Sequence, residues 1–311
     1  ILASSATKAE DILESMKTEL VENETLYKMY PAVCECFRSL EDNNAKARYQ
    51  TYDGQPTHID FSRKMLSFPI IPGEVSSGSV IQVRPKDNVR GIAHRPKDGP
   101  FKGRVLRPDF IFFDDIQTDE EANNPNVVKK IVTTIKKSVL RAGRHSKTLS
   151  AIMCCTPIAL NDVSCHFLFE ELAWERIMYS MLESMPTNMD WWLGEYRDLR
   201  LNFDRDTPGA SLQAAPDACE FYRENQGHAD EGAVATWDWA YSWEDEPQTE
   251  ISAIQHAMNI YIDEGVDVFE TECQCNVAYL ADKQEDRVAP VEVIREKQHH
   301  LPRGKVQKAS K

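Results

Sequence analysis

The chain has 311 residues, 41% of them apolar and 28% charged, with a formal net charge of −14. That is enough chain for one large or two modest cores, and with only 13 Gly it excludes a collagen-like or low-complexity class. No apolar run reaches the roughly 18 residues of a membrane span, and Ile1-Leu2-Ala3 is too short for a signal peptide, so the chain reads as soluble and intracellular, with no membrane partner.

Residues 1–7 read as the end of a core strand followed by small hydroxyl residues, and because the chain does not open on Met a start further upstream is expected. Ala9, Leu13, Met16 and Leu20 then fall at helical spacing, and Thr7 with Glu10 fits a capping box. Ser4, Ser5 and Thr7 are open to nucleic-acid contact at the strand edge, although capping alone explains Thr7. Pro31 marks the end of that helix or a turn soon after. Residues 41–78, rich in Asn, Gly and Pro, read as loops with short elements. Ser79 to Arg84 reads as a strand, and the basic, turn-rich segment Arg90 to Pro100 as a phosphate- or DNA-facing loop. His94 has no matching ligand nearby in sequence and reads as structural or exposed rather than as a metal ligand.

Phe110-Ile111-Phe112-Phe113 is an unalternated apolar run, as expected of a parallel strand buried on both faces, and Asp114-Asp115 follow at once. In open α/β sheets ligands bind beyond the carboxyl ends of the strands, so an acidic pair there can hold a metal or steer a water, as in the acidic half of a P-loop NTPase site. A turn with solvated acids is the plainer reading of the same residues. After Pro125, Val127, Val128, Ile131, Val132, Ile135 and Val139 mark one side of a helix, while Lys129, Lys130, Lys136 and Lys137 recur seven residues apart on another. Arg141, Arg144 and Lys147 follow, and no acidic residue occurs from Ala122 to Asn161. Such a face is either simply solvated or meets a polyanion. Leu149 to Cys155 reads as a second buried strand ending in Thr156-Pro157, where Thr156 could sense a γ-phosphate, and an apolar helix is expected around Phe167.

Further on, Trp174, Met178, Leu182, Trp191, Trp192 and Tyr196 suggest helices, Gly209 to Asp217 a loop, and Ala253, His256, Ala257 and Ile260 one helix face. Asp190-Trp191-Trp192-Leu193 reads as core rather than a base-stacking platform. Glu244-Asp245-Glu246 reads as a solvated loop. The eight Cys include no CxxC pair, which favours free buried thiols over zinc. Charge divides unevenly: net −4 over residues 1–83, +7 over 84–161 and −17 over 162–311. The basic central segment suits a polyanion or the phosphates of a nucleotide, and the acidic segment after it suits basic protein partners.

The ordered series of these features resembles the ATPase domain of large terminase subunits, the motors that package DNA into tailed-phage heads. It is carried by Ser5-Ala6-Thr7-Lys8-Ala9 with the helix to Leu20, Gly78-Ser79, Arg90-Gly91, and Arg107-Pro108-Asp109 through Asp114-Asp115. Thr156-Pro157 stands where that family has its coupling motif. Phe221 to Asn225, Gly232-Ala233, Trp237, Ser252 to Asn259 and Phe269 to Gln274 are similar to the region between its ATPase and nuclease.

The resemblance implies an α/β fold: a RecA-like P-loop NTPase core with a mainly parallel sheet flanked by helices, over residues 1–169, and a smaller, mainly helical linker or lid subdomain over 170–290. Residues 291–311 would lead toward a nuclease domain. It implies ATP and Mg²⁺, with Asp114 holding Mg²⁺ through water, Asp115 handling the attacking water and Thr156 coupling phosphate state to movement. Arg90, Lys129, Lys130, Lys136, Lys137, Arg141 and Arg144 become candidates for DNA contact or a trans-acting arginine. Implied partners are double-stranded DNA, a portal protein, a small terminase subunit and further copies in a ring on the procapsid, in the host cytoplasm. Two departures stand out. No G-x-x-x-x-G-K-[ST] occurs, so the phosphate-binding Lys and Ser/Thr are expected before Ile1, and the chain alone is expected to hydrolyse ATP poorly. The family commonly has Glu where Asp115 stands, which leaves Asp115, Glu120 or Glu121 as the catalytic acid.

Overall fold

The computed structural model of the chain describes residues 1–89, 91–96, 99–143, 149–202 and 210–283. Arg90, Arg144 and residues 291–311 therefore lie outside the described residues. The chain divides into two compact units, Ile1–Cys155 and Thr156–Lys311.

The first unit is mixed α/β. Strands β1 (Leu2–Ala3), β2 (Arg84–Pro85), β3 (Phe110–Asp114) and β4 (Ser150–Cys154) form an all-parallel sheet of four strands in the order β2-β1-β3-β4. Ala3 lies opposite Asp114 and Asp114 opposite Cys154, so β1, β3 and β4 end level with one another. Helix α1 (Ala6–Glu22) leaves directly from the end of β1. Its cap is Ser5, whose Oγ accepts from the Lys8 amide at 3.1 Å, rather than Thr7. The extended backbone of Ser5 lets its hydroxyl turn onto the first helical turn, whereas Thr7 is already inside it.

Ala9, Leu13 and Leu20 of α1 are buried with Val33, Phe37 and Leu40, and with Phe61 and Leu66 of an antiparallel sheet formed by Asp60–Ser62, Met65–Ser67 and Val80–Gln82. Pro31 follows the bend at Tyr30 where the short helix Glu24–Met29 ends, and it opens the next helix, Pro31–Arg38, as its missing N–H allows at a first helical position. The expected strand Ser79–Arg84 is divided at Val83: Val80–Gln82 belongs to the antiparallel sheet and Arg84–Pro85 to the parallel one.

Two expectations about strand burial are corrected. On β3, Ile111 and Phe113 are buried while Phe110 is 51% exposed, so one face is only partly covered. On β4 no residue is buried, and Ile152 is 50% exposed. Among the described residues β4 pairs only with β3 and forms the sheet edge, which explains the difference. Helix α2 (Pro125–Thr134) continues into a π-helical turn, Ile135–Val139. Val128, Ile131, Val132, Ile135 and Val139 are buried; the wider turn keeps the last two on the inner face and leaves Lys136 and Lys137 exposed.

The second unit is mainly helical, with a two-stranded antiparallel pair, β5 (Leu182–Ser184) and β6 (Val234–Ala235). Leu182 is thus in a strand and Met178 lies outside any helix, contrary to the expected helices there. Helix α3 (Ala210–Ala229) covers most of the stretch expected as a loop. Pro216 falls within its first two turns, and its lost hydrogen bond is offset by the burial of Ala214, Ala218 and Tyr222. Helix α4 (Ala253–Asp263) lies where expected. Trp191, Trp192, Tyr196, Ala218, Tyr222 and Met258 form the core, and the Trp192 indole N–H donates to the Ala229 carbonyl at 2.9 Å. These aromatics are packed core, as the sequence suggests. Among the described residues no helix is long and apolar enough to cross a membrane.

Candidate functional site

The level ends of β1, β3 and β4 bring residues from three distant segments together. Asp114 closes β3, half-buried between its register partners Ala3 and Cys154. Asp115 follows with φ +35°, a left-handed backbone that few non-glycine residues adopt. Its amide still donates to the Cys154 carbonyl at 3.1 Å, prolonging the ladder by one bond. The twist turns its carboxylate to Lys8 of α1, whose Nζ donates to Oδ2 at 2.9 Å. Both side chains are near half exposed, so water and salt screen the pair. Cys154 completes the edge. Partial desolvation of this exposed thiol, then the charges of Asp114 and Asp115, push its pKa up, so it stands protonated at neutral pH.

A second cluster lies where β2 ends. The Lys86 side chain is 6% exposed, and its Nζ donates to the Ser4 carbonyl at 2.8 Å and meets Glu121 Oε2 at 2.9 Å. Glu121 also accepts from the Thr118 amide, while Thr118 Oγ1 accepts from the Glu121 amide: a reciprocal capping box on the short helix Asp119–Ala122. Burial alone would raise the Glu121 pKa, but hydrogen bonds from Lys86 and Thr118 hold it below the usual carboxylate range. Glu121 is therefore engaged in structure and is a poor substitute for a water-activating acid. Glu120 is exposed and lines a cleft of about 400 Å³ together with Leu2, Lys86, Ile116, Lys130 and Ile131. Lys8, Asp114 and Asp115 do not line that cleft.

The basic candidates divide by position. Lys129, Lys130, Lys136, Lys137 and Arg141 are exposed along α2 and the turns after it, opposite the buried apolar stripe. Lys130 also reaches the cleft beside Glu120. Thr156 follows β4 and opens the second unit. Its carbonyl accepts from Ser164 Oγ at 3.1 Å. The loop after it is held by Asp162, fully buried, whose carboxylate accepts from the amides of Ile158 at 2.7 Å, Ala159 at 3.2 Å and Cys165 at 2.7 Å.

Lys8, Lys86 and Asp162 are the residues that sequence reasoning passes over. Lys8 and Asp115 are 107 positions apart, and a single lysine in a helix carries no local sign of such a partner. Asp162 three residues before Cys165 did carry one, the spacing of an N-cap. All eight Cys are free, four of them buried. Among the described residues no group of three or more His, Cys, Asp or Glu is arranged to hold a metal ion. That still fits Mg²⁺, which keeps several waters and takes one or two carboxylates together with substrate phosphates. Compared with known proteins, the chain matches no family model, no curated protein and no solved structure.

Proposed function

We propose that this chain is the ATPase portion of a DNA-packaging motor of the large terminase kind, built on a RecA-like P-loop NTPase core. The carrying observation is the acid pair Asp114-Asp115 at the carboxyl end of an interior strand of an all-parallel sheet, level with β1 and the start of α1. That is where an open α/β sheet binds ligands. In this reading Asp114 holds the waters around Mg²⁺, which when bound neutralises charge on the nucleotide's phosphate oxygens. Asp115 orients the attacking water and accepts its proton. To do so it exchanges Lys8 for the water, an exchange made cheap by the exposure of the pair.

The phosphate-cradling loop of this reading lies upstream of Ile1. The outer edge of β4, unpaired among the described residues, and the half-exposed Ile152 beside it suit one further strand there. The exposed cations of α2 and its π turn contact duplex DNA phosphates, and Thr156 links phosphate release to movement of the helical unit. The portal protein, the small subunit and further copies in a ring would complete the motor.

The test is ATP hydrolysis by the chain extended through its upstream phosphate loop, with and without duplex DNA. Turnover stimulated by DNA, and abolished in Asp114→Ala and Asp115→Ala, is expected; unimpaired turnover in Asp114→Ala would refute the assignment. DNA affinity should fall steeply with salt, the slope changing by about 0.9 per phosphate contact, and replacing Lys129, Lys130, Lys136 and Lys137 with Ala should flatten it. The Lys8–Asp115 ion pair favours one rival, a non-catalytic DNA-binding or scaffold protein with a decayed P-loop site, in which the acid serves as a surface partner of Lys8. An extended chain that binds DNA but never turns over ATP, with or without capsids, would establish that rival. A helicase-like translocase would turn over on bare DNA and ignore empty capsids.

A further inference from the structure

Residues 224–282 carry 14 Asp and Glu and not one Lys or Arg. Within this stretch the segment after β6 displays four large aromatics in seven residues, Trp237, Trp239, Tyr241 and Trp243. Trp239 is 70% exposed and Trp243 63% exposed, although Trp is on average a highly buried residue. Glu244, Asp245 and Glu246, all exposed, follow directly.

The segment is held in shape. The Thr236 amide donates to the Met181 carbonyl at 3.1 Å, and the Trp237 ring lies 5.7 Å from that of Tyr179. Short turns close it, from the Ala240 amide to the Trp237 carbonyl at 3.2 Å and from the Trp243 amide to the Tyr241 carbonyl at 3.0 Å. Its far end is anchored by Glu250, which accepts from the Ser242 amide at 3.0 Å and Asn259 Nδ2 at 2.9 Å and pairs with His256 at 2.7 Å. The guanidinium of Arg223 reaches the segment at Gln248, at 3.0 Å, and is itself paired with Glu220. Two indoles presented on an ordered frame lose little freedom on binding.

From this we propose that the Trp237–Glu246 segment is a docking surface for a cationic peptide segment of a partner protein, one with Arg or Lys spaced by small apolar residues. Trp239 and Trp243 would take the cations on their ring faces and the apolar residues between them, while Glu244, Asp245 and Glu246 pair with the flanking charges. Nucleic acid is disfavoured by the absence of any Lys or Arg over residues 224–282. The surface owes nothing to the ATPase reading and stands or falls separately.

The experiment is fluorescence anisotropy with the full chain and a fluorescein-labelled peptide of Arg-Ser-Leu repeats, with Gln-Ser-Leu repeats as control. Binding of the Arg peptide alone is expected. The double variant Trp239→Ala/Trp243→Ala, checked for fold by circular dichroism, should bind about tenfold more weakly. The triple variant Glu244→Gln/Asp245→Asn/Glu246→Gln should lose much of the salt dependence while keeping the contribution of the indoles. Unchanged affinity in the double tryptophan variant would overturn the proposal, since binding would then be general attraction to an acidic protein. Equal binding of the Gln peptide would overturn it as well. So would self-association of the chain, seen by sedimentation and abolished by the tryptophan substitutions, because the occupant would then be a second copy.

Discussion

Asp115 is held by two features that pull against each other. Its backbone sits at φ +35°, and such a conformation costs a non-glycine residue on the order of 1 kcal/mol or more. Its carboxylate gains a partner in Lys8, but an exposed pair contributes about 0–1 kcal/mol. Asp115→Gly is therefore expected to stabilise the chain by about 0.5–1 kcal/mol in urea denaturation, while removing the carboxylate to which the proposed function assigns the attacking water. A loss of stability instead would mean that the Lys8 contact outweighs the strain. Aspartate adjacent to Asp114 is visible in the sequence. The left-handed turn that aims it toward α1 is not, because Asp is only moderately favoured there and nothing local demands it.

At the scale of elements, the tie between the end of β2 and the helix Asp119–Ala122 rests on the ammonium of Lys86. Lys86→Ala would leave the Ser4 carbonyl and the Glu121 carboxylate short of a donor in a mostly buried place. A loss of about 1–3 kcal/mol is expected, measured by chemical denaturation. The double variant Lys86→Met/Glu121→Gln should recover part of it, since the unpaired charge is gone; no recovery would show that Lys86 acts through packing alone. Element existence was legible wherever one periodicity dominated, as in α1, α2 and α4. Strand burial on β4 was not, because an apolar run reports what a strand can bury and not whether a neighbour covers it. The Gly209–Asp217 stretch misled for a related reason: Pro and Gly signal a break, yet burial of Ala214, Ala218 and Tyr222 carries the helix through Pro216.

Across the whole molecule, the strongly acidic block from residue 162 onward falls in the second unit, while the first unit combines the mildly acidic and the basic blocks. In the second, Glu250 and His256 give a defined pH response. Burial would raise the Glu250 pKa, but hydrogen bonds from His256, Asn259 and the Ser242 amide bring it down to about 2. Its contribution is present above about pH 4.5, the ordinary Glu value, and is lost as pH falls toward 2. The His256 pKa is raised by its hydrogen bond to Glu250, so its contribution is complete below about pH 6.5 and fades as pH rises through the elevated value. The melting temperature should therefore be highest between about pH 4.5 and 6.5, and His256→Ala should remove the decline on the alkaline side. An alkaline decline unchanged in that variant would assign it to other groups.

The sequence by itself determined the features that are local or periodic. These are the apolar strand ending in Asp114-Asp115, the cation-only helix with its buried stripe, the core character of Trp191 and Trp192, and the acidic balance of residues 162–311. They are legible because strand and helix periods, and runs of like charge, are written in neighbouring residues. Only the tertiary structure decided that Lys8 meets Asp115, that Lys86 binds Ser4 and Glu121, that Ser79–Arg84 serves two sheets, and that Trp239 and Trp243 face solvent. Each of these depends on chain segments brought together from far apart, and an isolated residue carries no mark of the partner, or the water, that folding will set beside it.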